Sequence, residues 1–263
     1  MDQKQQSDKG GEDPTTLFRD YFSTVSSNYA LFRPSYPDTL FAWLASVAPA
    51  RRMAWDCATG SGQAAAGLVA YFERVVATDA SQAQIQGAVL HPRVEYRVAL
   101  ADASGLNDRS VDLVTVAQAL HWFDMERFYD EVRRVLVADG VLVVWCYGPL
   151  VVEGEEINAI VRRFYDEVVG PFWPAERAIV DDGYREISLP FTRIDVPVFD
   201  MSVLWNLHDL LGYISTWSAT ARFIQATGID PVLQLGRQLS ERWGQADDRK
   251  AITWPMVVQA GRA

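Results

Sequence analysis

Trp55-Asp56-Cys57-Ala58-Thr59-Gly60-Ser61-Gly62-Gln63, followed by Val75-Val76-Ala77-Thr78-Asp79, is the stretch that decides the fold. Arg52 to Asp56 reads as a short strand ending in a glycine-containing turn, and the alanine-rich residues 63–72 read as a helix. Small residues let a backbone pass close to a ligand, and a helix start offers unpaired N–H groups. Asp79 closes the second strand, 17 residues past Gly62. In a doubly wound fold such a carboxylate lies beside the glycine turn and can accept both hydroxyls of a ribose. The expectation is a nucleoside-containing cofactor. The plainer alternative is a tight turn and a solvated aspartate.

The flanking sequence alternates in the same way. Pro37 suits the first turn of a helix, with Leu40, Phe41, Leu44 and Val47 on its apolar face. Ser81 is a suitable cap for a helix through about residue 89, and Val94 to Val98 reads as a third strand. Val111 to Ala117 reads as a fourth strand. A helix follows with Phe128, Val132, Val135 and Leu136 on one stripe and Gly140 as its stop. Val141 to Trp145 is a fifth strand. Short unbroken apolar runs fit strands buried on both faces, as in a parallel sheet between helices. Beyond residue 150, residues 155–170, about 202–227 and 231–243 look helical. PFWP at 171–174 breaks the chain, a strand-like segment lies near 191–199, and Ile252 to Ala260 reads as a closing strand. Residues 1–14 read as a disordered tail. Residues 15–263 read as one domain, with its sheet at about 36–150 and its closing strands towards 263. A helical insertion is expected within about 150–250.

Composition excludes several function classes. The 263-residue chain carries a formal net charge of −10, which disfavours nucleic acid as a partner. Lysine occurs only at Lys4, Lys9 and Lys250, so the body of the chain has none for a Schiff base or a phosphate-binding P-loop. Two cysteines, Cys57 and Cys146, are too few for a disulfide framework or a cysteine-rich zinc site. The N-terminus has no apolar core of a signal peptide, and no apolar run approaches membrane-spanning length. The expectation is a cytoplasmic protein with no membrane partner. The histidines, His91, His121 and His208, are scattered, and no metal site is expected.

Two cofactors compete for the turn. Gly60-Ser61-Gly62-Gln63-Ala64-Ala65 satisfies the relaxed dinucleotide pattern G-x-G-x-x-A, which leaves an NAD-dependent oxidoreductase open. Against it, the sheet has no lysine for a Tyr-x-x-x-Lys pair, and about 50 residues precede the first nucleotide strand. Asp56 also sits just before the turn, where it can accept the loop's N–H groups or face a cofactor's ammonium.

An ordered set of segments then resembles the class I S-adenosylmethionine-dependent methyltransferases, most closely the small-molecule branch that includes trans-aconitate methyltransferase. The set is Tyr29-Ala30-Leu31-Phe32-Arg33-Pro34-Ser35-Tyr36-Pro37, Asp56 to Gln63, Ala77 to Ser81, Ala101-Asp102, Val111 to Val114, Gln118 to Phe123, Thr216 to Ala219 and Trp254-Pro255. Ala58 departs from the pattern, standing where the family's first glycine is common. The added methyl is tolerated if its φ is negative. The resemblance implies a Rossmann-like, seven-stranded, mostly parallel sheet with a helical lid.

It also implies roles. Gly60 and Gly62, with Ala58 and Gln63 in the same turn, pass beneath the cofactor's methionine part. Asp79, beside Ala80, holds the ribose. Asp102, with Ala101, meets the adenine amino group, and Gln118 borders the methionyl moiety. Arg33 holds a carboxylate, with the cofactor's favoured over an acidic substrate's, and Tyr29 covers the sulfonium with its ring.

The cofactor's sulfonium is a good leaving group, so alignment and exclusion of water are the protein's main tasks. His121-Trp122 follows strand four on the rim where such sheets bind ligands. His121 is the candidate catalytic residue, as a base for a hydroxyl or as an orienting group for a carboxylate acceptor. Trp122, Tyr213, Trp217 and Arg222 are the candidate acceptor contacts, Arg222 for an acidic acceptor. The expected activity is methyl transfer to a small molecule bearing a carboxylate or hydroxyl. A non-catalytic cofactor-binding subunit is the other alternative. The oligomeric state stays open.

Overall fold

The computed structural model describes residues 34–263 apart from residue 246. The expected tail, and the expected cofactor contacts Tyr29 and Arg33, lie outside the described residues.

Five strands form the parallel half of the sheet: β1 (Met53–Cys57), β2 (Arg74–Asp79), β3 (Val94–Val98), β4 (Val111–Ala117) and β5 (Leu136–Tyr147). They lie in the order β3-β2-β1-β4-β5, so the chain reverses direction across the sheet between β1 and β4. Successive residues along the strands enter opposite cores. Ala54, Val75, Ala77, Leu113, Val143 and Trp145 belong to one core. Trp55, Cys57, Val76, Val114, Val144 and Cys146 belong to the other. Burial on both faces explains why these strands read as unbroken apolar runs.

The first core is covered by α1 (Asp38–Val47) and α2 (Gln63–Leu68). The second is covered by α4 (Met125–Val135), which follows the short α3 (Gln82–Gln86). Asp124 caps α4 through the Arg127 amide, and Phe128, Val132 and Val135 form its buried stripe. The helix stops at Val135 rather than at Gly140, because Leu136 already pairs with Val111 in the sheet.

The antiparallel half is built on one long strand, β9 (Lys250–Arg262). Residues 256–262 of β9 pair with β5, and residues 250–255 pair with β8 (Asp200–Trp205). Two short strands, β6 (Val151–Val152) and β7 (Thr192–Arg193), also join β9. The sheet therefore has nine strands where seven were expected. A thirteen-residue strand has room along its edges for partners that two-residue segments can fill.

The helical insertion comprises α5 (Glu155–Arg163), continued by a π-helical turn at Phe164–Val168, then α6 (Arg177–Asp181), α7 (Leu207–Ser215), α8 (Ser218–Thr227) and α9 (Pro231–Trp243). The helix expected over 202–227 begins only at Leu207. Residues 200–205 are strand β8, because β9 supplies a backbone partner and Met201 alternates with exposed neighbours. Asn206 and Asp209 then form a reciprocal cap that starts α7. Of the strand expected near 191–199, only Thr192–Arg193 is regular. Among the described residues, no helix is long and apolar enough to cross a membrane, and no group of His, Cys, Asp or Glu side chains is arranged to hold a metal ion.

Candidate active site

The floor of the site is the turn between β1 and α2. Asp56, fully buried, takes three hydrogen bonds there. Its Oδ2 accepts from Thr59 Oγ1 at 2.5 Å and from the Ala65 amide at 3.1 Å, and its Oδ1 accepts from Thr115 Oγ1 at 2.8 Å. One carboxylate thus ties the turn, the start of α2 and the neighbouring β4 together. In the turn itself Asp56 accepts from the Thr59 hydroxyl rather than from the loop's N–H groups, and the one amide it accepts belongs to Ala65 of α2. Burial pushes its carboxyl up to about 6, although the bonds from Thr59, Thr115 and Ala65 oppose the shift.

The backbone of the turn is left-handed at every second residue, with φ of 53° at Ala58, 58° at Gly60 and 90° at Gly62. The condition that Ala58 have a negative φ is therefore not met. Its methyl is held in a conformation that favours glycine. Gly60 faces open space, where an added Cβ would come no nearer than 3.9 Å to Gln84 Oε1. Gly62, the N-cap of α2, leaves no such room, since a Cβ there would strike the Tyr96 ring.

Asp79 stands at the end of β2 beside this turn. Its Oδ2 accepts the Gly60 amide at 2.9 Å and its Oδ1 the Ser81 amide at 2.8 Å. A pocket opens above, lined by Ala58, Gly60, Gln63, Asp79, Gln118 and Trp122 among the anticipated residues. Tyr36, Thr59, Ser61, Gln84, Ala117, Ala119 and Phe123 join them. Tyr36 and Phe123 lie within segments 29–37 and 118–123 of the family resemblance, yet no periodicity marks them as pocket walls. Gln84 was legible only as a position in the helix after Asp79. Gln118 sits at the end of β4 with φ of 57° and donates from Nε2 to the Tyr147 carbonyl at 3.2 Å.

Other anticipated residues are not among those lining this pocket. Gly62 and Asp56 support the turn from below. Ala80 and Ala101 are half-buried, and Asp102 forms an ion pair with Arg127 at 2.7 Å. His121 lies in the 3-10 turn after β4, its ring 4.9 Å from that of Trp122. Its Nδ1 is 3.0 Å from Tyr184 Oη. Burial, helped by the Arg177 guanidinium, pushes the imidazole down to about 4, so it is neutral at pH 7. Tyr184 is buried and its phenol is pushed up, chiefly by that burial. A buried phenol needs an acceptor for its proton. Among the described residues, His121 Nδ1 is the acceptor the hydrogen-bond geometry offers. That arrangement leaves the imidazole proton on Nε2, which is then a hydrogen-bond donor.

Tyr213 and Trp217 belong to an aromatic cluster of the insertion. Their rings lie 5.9 Å apart, and Tyr213 Oη accepts from Trp254 Nε1 at 3.1 Å. Arg222 donates to the Phe172 carbonyl at 3.2 Å. The arginine that sequence reasoning missed is Arg177. Its Nε donates to Tyr165 Oη at 2.9 Å and to Asp181 Oδ1 at 2.8 Å. Its guanidinium lies 5.1 Å from the Trp173 ring centre. Its signal was weak, being one of many arginines in a segment with no clear period.

A doubly wound sheet with a glycine turn after β1 and an acid closing β2 is the arrangement on which such folds hold nucleoside-containing ligands. Residues 55–144 match the family model described as a methyltransferase domain. A Dictyostelium discoideum protein named as a methyltransferase is 35% identical over 241 residues, covering 90% of this chain and 92% of that one. The chain belongs to the methyltransferase family. A solved structure from Anaeromyxobacter dehalogenans, described as a type II methyltransferase, superposes with a TM-score of 0.82 at 44% identity. The match covers 88% of this chain and 98% of that one. The Saccharomyces cerevisiae protein CRG1, named as an S-adenosylmethionine-dependent methyltransferase, is 30% identical over 46% of this chain and 45% of its own length.

Proposed function

We propose that the protein transfers a methyl group from S-adenosylmethionine to a small acceptor bearing a carboxylate or hydroxyl, the chemistry of the small-molecule branch its motifs resemble. On this reading it works in the cytoplasm, with neither nucleic acid nor membrane as a partner. The observation that carries the reading is the Asp79 carboxylate, held at the pocket wall by the Gly60 and Ser81 amides. Each oxygen accepts one backbone amide and keeps a second lone pair, which suits the two hydroxyls of a ribose.

The residues present fit the cofactor. Gly60 offers a backbone with no side chain in the way, and Ala58, Gln63 and Gln118 share its pocket. When bound, S-adenosylmethionine supplies an electrophilic methyl on a sulfonium that departs as a neutral thioether. His121 presents a neutral Nε2–H, which suits orienting an acceptor oxygen and favours a carboxylate, an acceptor that needs no base. Trp122 walls the pocket beside it.

Calorimetric titration of the purified protein with S-adenosylmethionine, with NADH alongside, tests the reading. Micromolar binding of the first ligand, lost in Asp79→Ala, is the expected result. Silence with S-adenosylmethionine and a signal with NADH would replace it with the dinucleotide reading of Gly60-Ser61-Gly62-Gln63-Ala64-Ala65.

A further inference from the structure

Arg177 is the best-held arginine near the site. Its side chain is only 21% exposed, and Nε is engaged twice, by Tyr165 Oη and by Asp181 Oδ1. Tyr165 Oη also donates to Asp181, so the three side chains brace one another. The guanidinium carbon lies 5.1 Å from the centre of the Trp173 ring and 5.8 Å from that of the Tyr165 ring, two rings that pack on each other at 5.0 Å. The two hydrogen bonds at Nε and these ring contacts restrict the side chain before any ligand arrives.

The rings around it continue towards the pocket. Trp173 is 5.7 Å from Trp217, Trp217 is 5.9 Å from Tyr213, and from Tyr213 the contacts pass through Trp254 at 5.4 Å and Tyr147 at a further 6.5 Å to Tyr36, a pocket residue 6.3 Å on. On the sheet side, Arg177 is close enough for its charge to act on His121, Tyr184 and Cys146. Its helix α6 lies at the end of β5, where Cys146 Sγ donates to the Val180 carbonyl at 3.9 Å, and Tyr184 just beyond α6 contacts His121, the neighbour of the pocket residue Trp122.

A purely structural arginine spends its terminal nitrogens on its own fold. Among the described residues, this one spends only Nε, and no hydrogen bond is formed by Nη1 or Nη2. Those two nitrogens form the end-on fork that matches the spacing of carboxylate oxygens. We propose that Arg177 is the specificity-determining residue of the acceptor site, its Nη1–Nη2 edge holding a carboxylate of the acceptor against the Trp173 and Trp217 rings. The inference rests on the methyltransferase reading and deepens it. It moves recognition of an acidic acceptor from Arg222, which is turned to the Phe172 carbonyl, to Arg177.

The test uses the full chain saturated with S-adenosylhomocysteine. Phenylacetate, cinnamate, hexanoate and succinate are titrated by calorimetry, each against its neutral amide. Wild type is expected to bind at least one carboxylate about tenfold or more tightly than its amide. Arg177→Met loses that preference while its affinity for S-adenosylhomocysteine stays within a few-fold. Arg177→Lys keeps the charge without the fork, retains part of the preference, and serves if the methionine variant does not fold. Arg185→Met removes an exposed charge, 80% accessible, from the loop after α6 and leaves the preference intact. The proposal is overturned if wild type prefers none of the carboxylates, or if Arg177→Met keeps the preference. Failure of S-adenosylhomocysteine itself to bind would instead sink the methyltransferase reading beneath it.

Discussion

The Asp79 carboxylate accepts the Gly60 amide at 2.9 Å, joining the end of β2 to the middle of the turn after β1. With its other oxygen on the Ser81 amide, one side chain sets both the shape of the turn and the start of α3. Asp79→Asn keeps the size but leaves one amide facing an NH2 group. The expected loss is about 1–3 kcal/mol, the usual penalty for a buried donor without an acceptor. Urea denaturation checks it. An unchanged midpoint would mean that the turn holds its shape without the carboxylate.

Ala58, with φ of 53°, carries backbone strain that glycine would not. The left-handed region costs an L-residue about 1–2 kcal/mol, and glycine gives back about 0.5–1 kcal/mol through its freer unfolded chain. Ala58→Gly is therefore expected to be neutral to mildly stabilising, with cofactor affinity within a few-fold of wild type. Ala58→Val, β-branched at the same φ, should lose about 1–3 kcal/mol. Paired thermal melts and calorimetry decide it, and equal stability of the glycine and valine variants would refute the strain argument.

Gly67 lies within α2, and a Cβ there would strike the Phe41 ring of α1. Helix propensity alone makes Gly67→Ala stabilising by up to about 1 kcal/mol. Overpacking makes it destabilising by about 1–3 kcal/mol. The steric term is larger, so a lower Tm is expected. Combining it with Phe41→Leu should recover part of the loss, and no recovery would place the cost elsewhere.

The parallel half of the fold was legible because its strands are buried on both faces and its turn chemistry is local. Asp56, Gly60 and Asp79 could be placed from spacing alone, since each sits at a strand end where the topology leaves little choice. The antiparallel half was harder. Whether Met201-Ser202-Val203-Leu204-Trp205 is strand or helix depends on β9, a partner some 50 residues away, and short apolar runs suit either state. The φ of Ala58 was not legible because a dihedral angle follows from the closure of the whole turn, not from residue type. Arg177 was missed because its importance lies in Tyr165, Asp181 and Trp173 converging on it, which no linear spacing shows.

His121 ties stability to pH. An exposed histidine titrates near 6.5, and here burial first and Arg177 second push the ring down to about 4. The unfolded chain therefore takes up a proton below about pH 6.5 that the folded chain refuses until about pH 4. The stability at stake is fully present above 6.5 and is lost as pH falls towards 4, to a total of roughly 3 kcal/mol. Asp56 works in the opposite sense. Its carboxyl, pushed up to about 6, favours the folded state more as pH falls from 6 to about 4. The two groups offset one another, so wild type is expected to show a shallow dependence across this window. His121→Gln removes one side of the balance. Relative to wild type it should gain stability as pH drops from 7 to 4.5, read from urea midpoints at each pH. A constant difference between the two proteins across that range would show that His121 does not titrate abnormally.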